Sequence, residues 1–163
     1  MRKRPYAVNK RQLLSAYSNL AISAEAIGKD LATSYYRKFM NLLKTYPESA
    51  SAAPEYELYY TSSNYYLGIK DYKKFIEFSD SLINFSKQIP LYKEHVIAYV
   101  SAKAAAYDSL RMYKEAYETS KEYAVLLDTL RMQELRKKME NLEIEKGANE
   151  LVIEKRSLEL ELT

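Results

Sequence analysis

The nine residues "DYKKFIEFS" at 71–79 are echoed by "MYKEAYETS" at 112–120. Tyr72, Lys73, Glu77 and Ser79 recur as Tyr113, Lys114, Glu118 and Ser120, each 41 residues on. Both stretches space their apolar side chains as a helix does. Tyr72, Phe75, Ile76, Ser79, Leu82 and Ile83 share one face, as do Tyr113, Ala116, Tyr117, Ser120, Tyr123 and Ala124. Lys73 and Glu77 fall on the other face at the spacing of a solvated i,i+4 pair. The turns that precede the two copies, after Ile69 and after Leu110, have a third counterpart after Ile27, at intervals of 41 to 42 residues. Helix pairs repeated at such a period stack into a solenoid.

Working outward, breakers divide the chain into segments. Residues 9–27 read as a helix ended near Gly28. Residues 30–45 read as the next, with Asp30 as N-cap and Pro47 just beyond. "YPESASAA" is loop-like, and Pro54 suits the first turn of a helix running to about Ile69. The turn at Lys70–Asp71 leads into a helix from Tyr72 to about Ser86, which "KQIP" ends. Another runs from about Tyr92 to Ser109, and the last starts near Met112 with no breaker until Gly147.

Composition agrees with helices. Three Gly and four Pro in 163 residues supply little turn chemistry for a many-stranded β fold, while 47% apolar and 29% charged residues suit amphipathic helices. Seventeen Tyr and no Trp fit thin helical layers, where a large ring is buried while its hydroxyl reaches water or a carbonyl. The doublets Tyr35–Tyr36, Tyr59–Tyr60 and Tyr65–Tyr66 read as core, one member of each pair inward. There is no cysteine, which excludes disulfide and thiolate chemistry. No run approaches 18 apolar residues, and the basic N-terminus lacks the apolar stretch of a signal peptide. Compartment is left open, a cytoplasmic protein and the periplasmic domain of a tethered one both fitting. Five of the positive charges lie in residues 1–11, leaving the rest at −2 against a net +3. The tail reads as solvated and frayed, with a phosphate- or lipid-contacting arm as the other reading; nucleic-acid binding is not expected of so balanced a body.

At this point the chain resembles the tetratricopeptide repeat family. Tyr72 and Tyr113 stand where that family's turn aromatic stands. Tyr66 and Tyr107 then match the aromatic of its first helix, Ser63 and Ala104 the small residue where helices cross, and Tyr59 and Val100 the bulky position. Ala116 matches the small residue early in the second helix; Phe75 departs from it, and Leu82 and Tyr123 replace the later small residue. A first unit fits more loosely, with Leu20, Ala21 and Ala24 before Gly28 and Ala32, Tyr36, Phe39 and Leu43 after it. The likeness covers residues 9–128. Its period of 41 exceeds the family's 34, and HEAT-type repeats share the longer period.

The resemblance implies an all-α solenoid of about three antiparallel helix pairs, and a non-enzymatic protein–protein interaction module with a peptide-binding groove lined by the first helix of each pair. The outward positions would be Ser18, Ile22 and Glu25; Tyr60, Asn64 and Leu67; and Ser101, Ala105 and Asp108. Tyr60 is the expected anchor, an aromatic ring held on a rigid helix, and Asn64 could bracket a peptide backbone. The basic residues of the carboxylate-clamp type are not matched. The expected division is a basic tail at 1–8, the repeats at 9–128 and a charged coiled-coil or linker helix at 129–163. In that helix Leu135 and Leu142, and Ile144, Leu151 and Leu158, recur at sevens in two series out of phase, the candidate dimerisation residues. The layout also looks like the repeat-plus-linker portion of bacterial membrane-tethered signalling proteins. The alternative is a structural scaffold acting through the C-terminal helix.

Chemistry is sparse. His95 is the single histidine, with no Cys or second His to complete a metal set or a nucleophile–base pair. Glu55 and Glu57, and Glu140, Glu143 and Glu145, sit among Lys and Arg as solvated partners rather than acid–base pairs. Gly28, Gly68 and Gly147 are isolated, so there is no phosphate-cradling loop. No enzyme, cofactor or metal is expected.

Overall fold

The computed structural model describes residues 9–88 and 93–161. The basic tail at 1–8, and Tyr92 with the end of "KQIP", lie outside the described residues. Within them every regular element is helical: α1 (Lys10–Ile22), α2 (Ala24–Ile27), α3 (Lys29–Thr45), a 3₁₀ turn (Pro47–Ser49), α4 (Pro54–Gly68), α5 (Tyr72–Lys87), α6 (Lys93–Ser109) and α7 (Tyr113–Glu161). The chain is all-α with a long C-terminal helix. It divides into two compact units, one ending at Lys121 and the other beginning at Glu122, seven residues before the boundary expected at 128/129.

Local chemistry explains where the helices begin and end. The Asn9 carboxamide oxygen accepts hydrogen bonds from the backbone N–H groups of Arg11 (3.0 Å) and Gln12 (3.4 Å), capping α1. Asp71 caps α5 through the Lys74 N–H at 3.3 Å. Pro54 opens α4 at a position whose N–H has no helical partner. Asp30 does not cap α3: that place is taken by Gly28, whose φ of 87° needs a glycine, and Asp30 lies in the first turn. There its charge complements the helix dipole.

The two echoed stretches share more than residues. Lys70 (φ 63°) and Arg111 (φ 59°), 41 apart, both adopt the left-handed conformation just after a helix. In both, the next N–H reaches back to close the turn, Asp71 to the Tyr66 carbonyl and Met112 to that of Tyr107, each at 2.9 Å. This is a Schellman closure made without glycine, so the chain turns the same way twice.

In the first unit α1 packs on α3, α4 on α5, and α5 on α6, while α4 also meets α1, α2 and α3. Short links between neighbours make α1 and α3, and α4 and α5, antiparallel pairs. One core joins Leu14, Ala21, Ala24, Ala32, Tyr36, Phe39, Leu43, Ala50 and Tyr65. Small residues set the closest approaches: a Cβ on Gly68 would stand 3.2 Å from that of Ala24. In α5 the expected inner face holds, with Phe75, Ser79, Leu82 and Ile83 buried and Tyr72 and Ile76 half-buried. Burial of a Phe the size of Phe75 contributes up to about 3 kcal/mol.

The second copy departs. Tyr113 and Tyr117 are about two-thirds exposed and Ser120 is exposed; Thr119 is the buried residue of that turn. α5 has α4 and α6 packed against it, whereas α7 is the last element of the described chain and no helix follows to cover its other side. Lys73 and Glu77 are exposed as expected but form no ion pair. Gly147 does not break α7, which runs through it to Glu161; one glycine costs a long helix only about 1 kcal/mol against alanine.

Candidate functional site

The expected groove centres on α4, and α4 proves to be a central helix rather than a one-sided one. Thr61, Ser62 and Ser63 are wholly buried in succession, and Glu55 is its sole fully exposed residue. Three adjacent buried residues point in three directions around a helix, so each must find its own partner. Thr61 Oγ1 lies 2.7 Å from Ser18 Oγ on α1. Ser62 Oγ lies 2.8 Å from the Tyr36 hydroxyl on α3. Ser63 donates to the Tyr59 carbonyl at 2.6 Å, within its own helix.

Ser18 therefore is not an outward residue: it is buried and hydrogen-bonded in the α1–α4 contact. A small hydroxyl is compatible with either face of a helix, and here Thr61 supplies the partner that lets it lie inside.

Aromatic rings fill the rest of this layer. Tyr36 and Tyr65 stack with ring centres 4.1 Å apart and planes 8° from parallel. Thr33 donates to the Lys29 carbonyl at 2.7 Å, so the Tyr65 hydroxyl, 2.8 Å away, is the donor to Thr33. Burial pushes the Tyr36 phenol well above the ordinary tyrosine value, with the Ser62 hydrogen bond pulling the other way.

Toward α6 the surface opens. Tyr60 is half-buried, its ring 5.9 Å from that of Tyr56 and nearly parallel to it. The Asn64 amide donates to the Tyr60 carbonyl at 2.8 Å and to the Tyr99 hydroxyl at 2.6 Å. Both amide hydrogens are thus committed, so toward a ligand Asn64 could offer only its acceptor oxygen. Tyr99 is buried, and desolvation raises its phenol well above the usual range while the Asn64 bond opposes that. Lys103 of α6 bridges to Asp80 of α5.

Of the remaining expected groove residues, Ile22, Leu67 and Ser101 are half-buried, and Glu25, Ala105 and Asp108 are exposed. Tyr60 and Asn64 are brought together, with Tyr56 and Tyr99 as neighbours the spacing argument did not name. Another concavity, an open apolar depression of about 360 Å³ between α3 and α4, is lined by Met40, Leu43, Pro54 and Leu58 among others. It arises where two consecutive pairs meet, which a reading confined to first helices overlooks.

In the second unit Leu135, Leu142, Ile144, Leu151 and Leu158 are all more than half exposed. A helix unbroken at Gly147 puts them on one wheel, where Leu135 and Leu142 lie roughly opposite Ile144, Leu151 and Leu158. They are two faces, not one seam. His95 is exposed, and among the described residues no three His, Asp or Glu side chains cluster as metal ligands. No helix of the described residues is long and apolar enough to cross a membrane.

No protein-family model matches the chain, and neither does any curated protein or solved structure. The likeness to tetratricopeptide repeats rests on the residues themselves.

Proposed function

We propose that this chain is a non-enzymatic interaction module of tetratricopeptide-like helix pairs, which takes an extended peptide or a partner segment against the α4–α6 face. The observation that carries the reading is the ordered edge made by Tyr56, Tyr60, Asn64 and Tyr99. A half-exposed ring stacked on its neighbour, beside an amide already held by two acceptors, is pre-organised and loses little side-chain entropy on binding. The ring offers apolar area, and the Asn64 oxygen offers one acceptor for a peptide N–H. The repeated turn at Lys70 and Arg111 supports the repeat reading, because it sets consecutive helix pairs by the same backbone geometry. The test is affinity for a selected peptide: Tyr60→Ala and Asn64→Ala should each weaken it without lowering the thermal midpoint by more than a few degrees. Unchanged affinity in both would sink the reading.

A second reading is favoured by the exposed apolar residues of α7: self-association through the second unit, with the first unit carried as cargo. The resemblance in layout to the linker of tethered bacterial regulators supports a coupling role for that helix. A light-scattering mass near 19.0 kDa at high concentration would refute it.

A further inference from the structure

The exposed apolar side chains of α7 do not scatter evenly. Val125, Met132 and Met139 recur at sevens, and Leu135 and Leu142 follow Met132 and Met139 by three. All five are between 51% and 65% exposed and stand on one unbroken helix inside the second unit. Alternating spacings of three and four are the a and d positions of a coiled-coil heptad, with Val125, Met132 and Met139 at a and Leu135 and Leu142 at d. Carried on, the same frame puts Asp128 at d, Lys146 at a and Asn149 at d. The apolar stretch is thus Met132–Leu142, with an acid just before it and a base just after.

We infer that this seam pairs with a second copy of itself in antiparallel orientation, Met132 facing the partner's Leu142 and Leu135 the partner's Met139. The inference rests on the self-association reading and adds the geometry. Charge decides the orientation. In a parallel pair equal positions meet, which sets Asp128 on Asp128 and Lys146 on Lys146 inside the seam. At the edges it sets Arg131 against Arg136 and Glu145 against Glu150, with Lys138 and Glu143 as the favourable contact. In the antiparallel register every one of the four apolar layers is kept. Asp128 then meets Lys146 at both ends, and Arg131 meets Glu145 at both edges. The like contacts left are Arg136 and Lys138 across the two-fold axis, at solvated edge positions. Sliding the antiparallel pair by one heptad in one direction brings Leu135 onto Lys146 and Met132 onto Asn149; in the other it brings Met139 onto Asp128. One register alone satisfies both the apolar and the charged positions. Within one chain Asp128 and Lys146 reach only exposed neighbours, Arg131 at 4.0 Å and Glu150 at 3.8 Å, which leaves both free to pair across the seam. Ile144, Leu151 and Leu158 occupy the outer position of this frame and take no part.

Because the chain has no cysteine, the geometry can be read by crosslinking the full-length protein. Residues 132 and 142 lie ten apart, about 15 Å along a helix, so in the antiparallel pair neither meets its own copy. Each instead meets the other within the roughly 4.4–6.8 Å Cα separation a disulfide needs. Under mild oxidation Met132→Cys alone and Leu142→Cys alone should stay unlinked, and an equimolar mixture of the two should give the linked dimer. Linkage of either variant alone, with a dimeric mass in light scattering, would overturn the orientation while leaving self-association standing. A monomeric mass and no linkage would overturn both. As a check free of cysteine, Lys146→Glu should raise the dimer dissociation constant, and adding Asp128→Lys should restore it; no change with Lys146→Glu contradicts the pairing.

Discussion

Ser18 and Thr61 offer the sharpest check on where the first unit keeps its core. Their hydroxyl oxygens are 2.7 Å apart, and both side chains are buried. Ser18→Ala leaves the Thr61 hydroxyl enclosed without its partner, a loss on the order of 1–3 kcal/mol. Thr61 can recover part of it by turning its hydroxyl to the carbonyl one helical turn back, so about 1–2 kcal/mol is expected. Thr61→Val, close to isosteric, strands Ser18 in the same way and should cost about as much. Removing both groups leaves no unmet donor, so the double variant should cost clearly less than the sum of the singles, with a coupling of roughly 1 kcal/mol or more. Urea unfolding followed by tyrosine ellipticity measures this. With slopes of about 1–3 kcal/mol per molar, a 1.5 kcal/mol loss moves the midpoint by roughly 0.5–1.5 M. If Ser18→Ala lies within about 0.5 kcal/mol of the parent, or the two losses simply add, Ser18 faces outward and the buried-pair argument is wrong.

Two further expectations follow from buried phenols and from glycines. Tyr36 and Tyr99 hold folded-state values raised above the ordinary 10.0, chiefly by burial. Below that value both states keep the phenols neutral; above it the unfolded chain ionises first, so stability should fall as pH rises beyond about 10. Ultraviolet titration should show phenols that ionise only as the fold is lost, and a single smooth titration of all tyrosines in the intact fold contradicts this. Gly147→Ala, with nothing within 4 Å of the added Cβ, should gain about 1 kcal/mol of helix stability. Gly28→Ala, at φ 87°, should lose about 1 kcal/mol or more. Circular dichroism melts should show shifts of opposite sign, and equal shifts would refute the assigned backbone conformations.

Much of the helical order was legible because the 41-residue echo and the apolar spacing report directly on turns and faces. α5 shows this best: Phe75, Ser79, Leu82 and Ile83 lie inward where their spacing puts them. Positions whose burial depends on another element were not legible. Ser18 is inside because Thr61 comes to it from 43 residues away. α4 carries buried hydroxyls on several sides because α1, α3 and α5 surround it, so an argument assuming one outward face misplaces residues. The Schellman turns hid behind Lys70 and Arg111, since glycine is the usual signal there. In α7 the pattern was read as broken at Gly147, and two faces were pooled as one seam. The frame of Val125, Met132 and Met139 emerges only on a continuous helix. At the candidate site, Tyr60 and Asn64 were readable from repeat register, while Tyr56 and Tyr99 depended on packing.

The central claim, binding at the α4–α6 face, is tested most directly by selecting peptides from a random library on the full chain and measuring their affinity for the parent, Tyr60→Ala and Asn64→Ala. The proposed function predicts peptides that lose about tenfold or more in affinity on Tyr60→Ala, or roughly 1.4 kcal/mol. It also predicts a smaller loss on Asn64→Ala, with unfolding midpoints close to the parent. Peptides that bind all three proteins equally would contradict it.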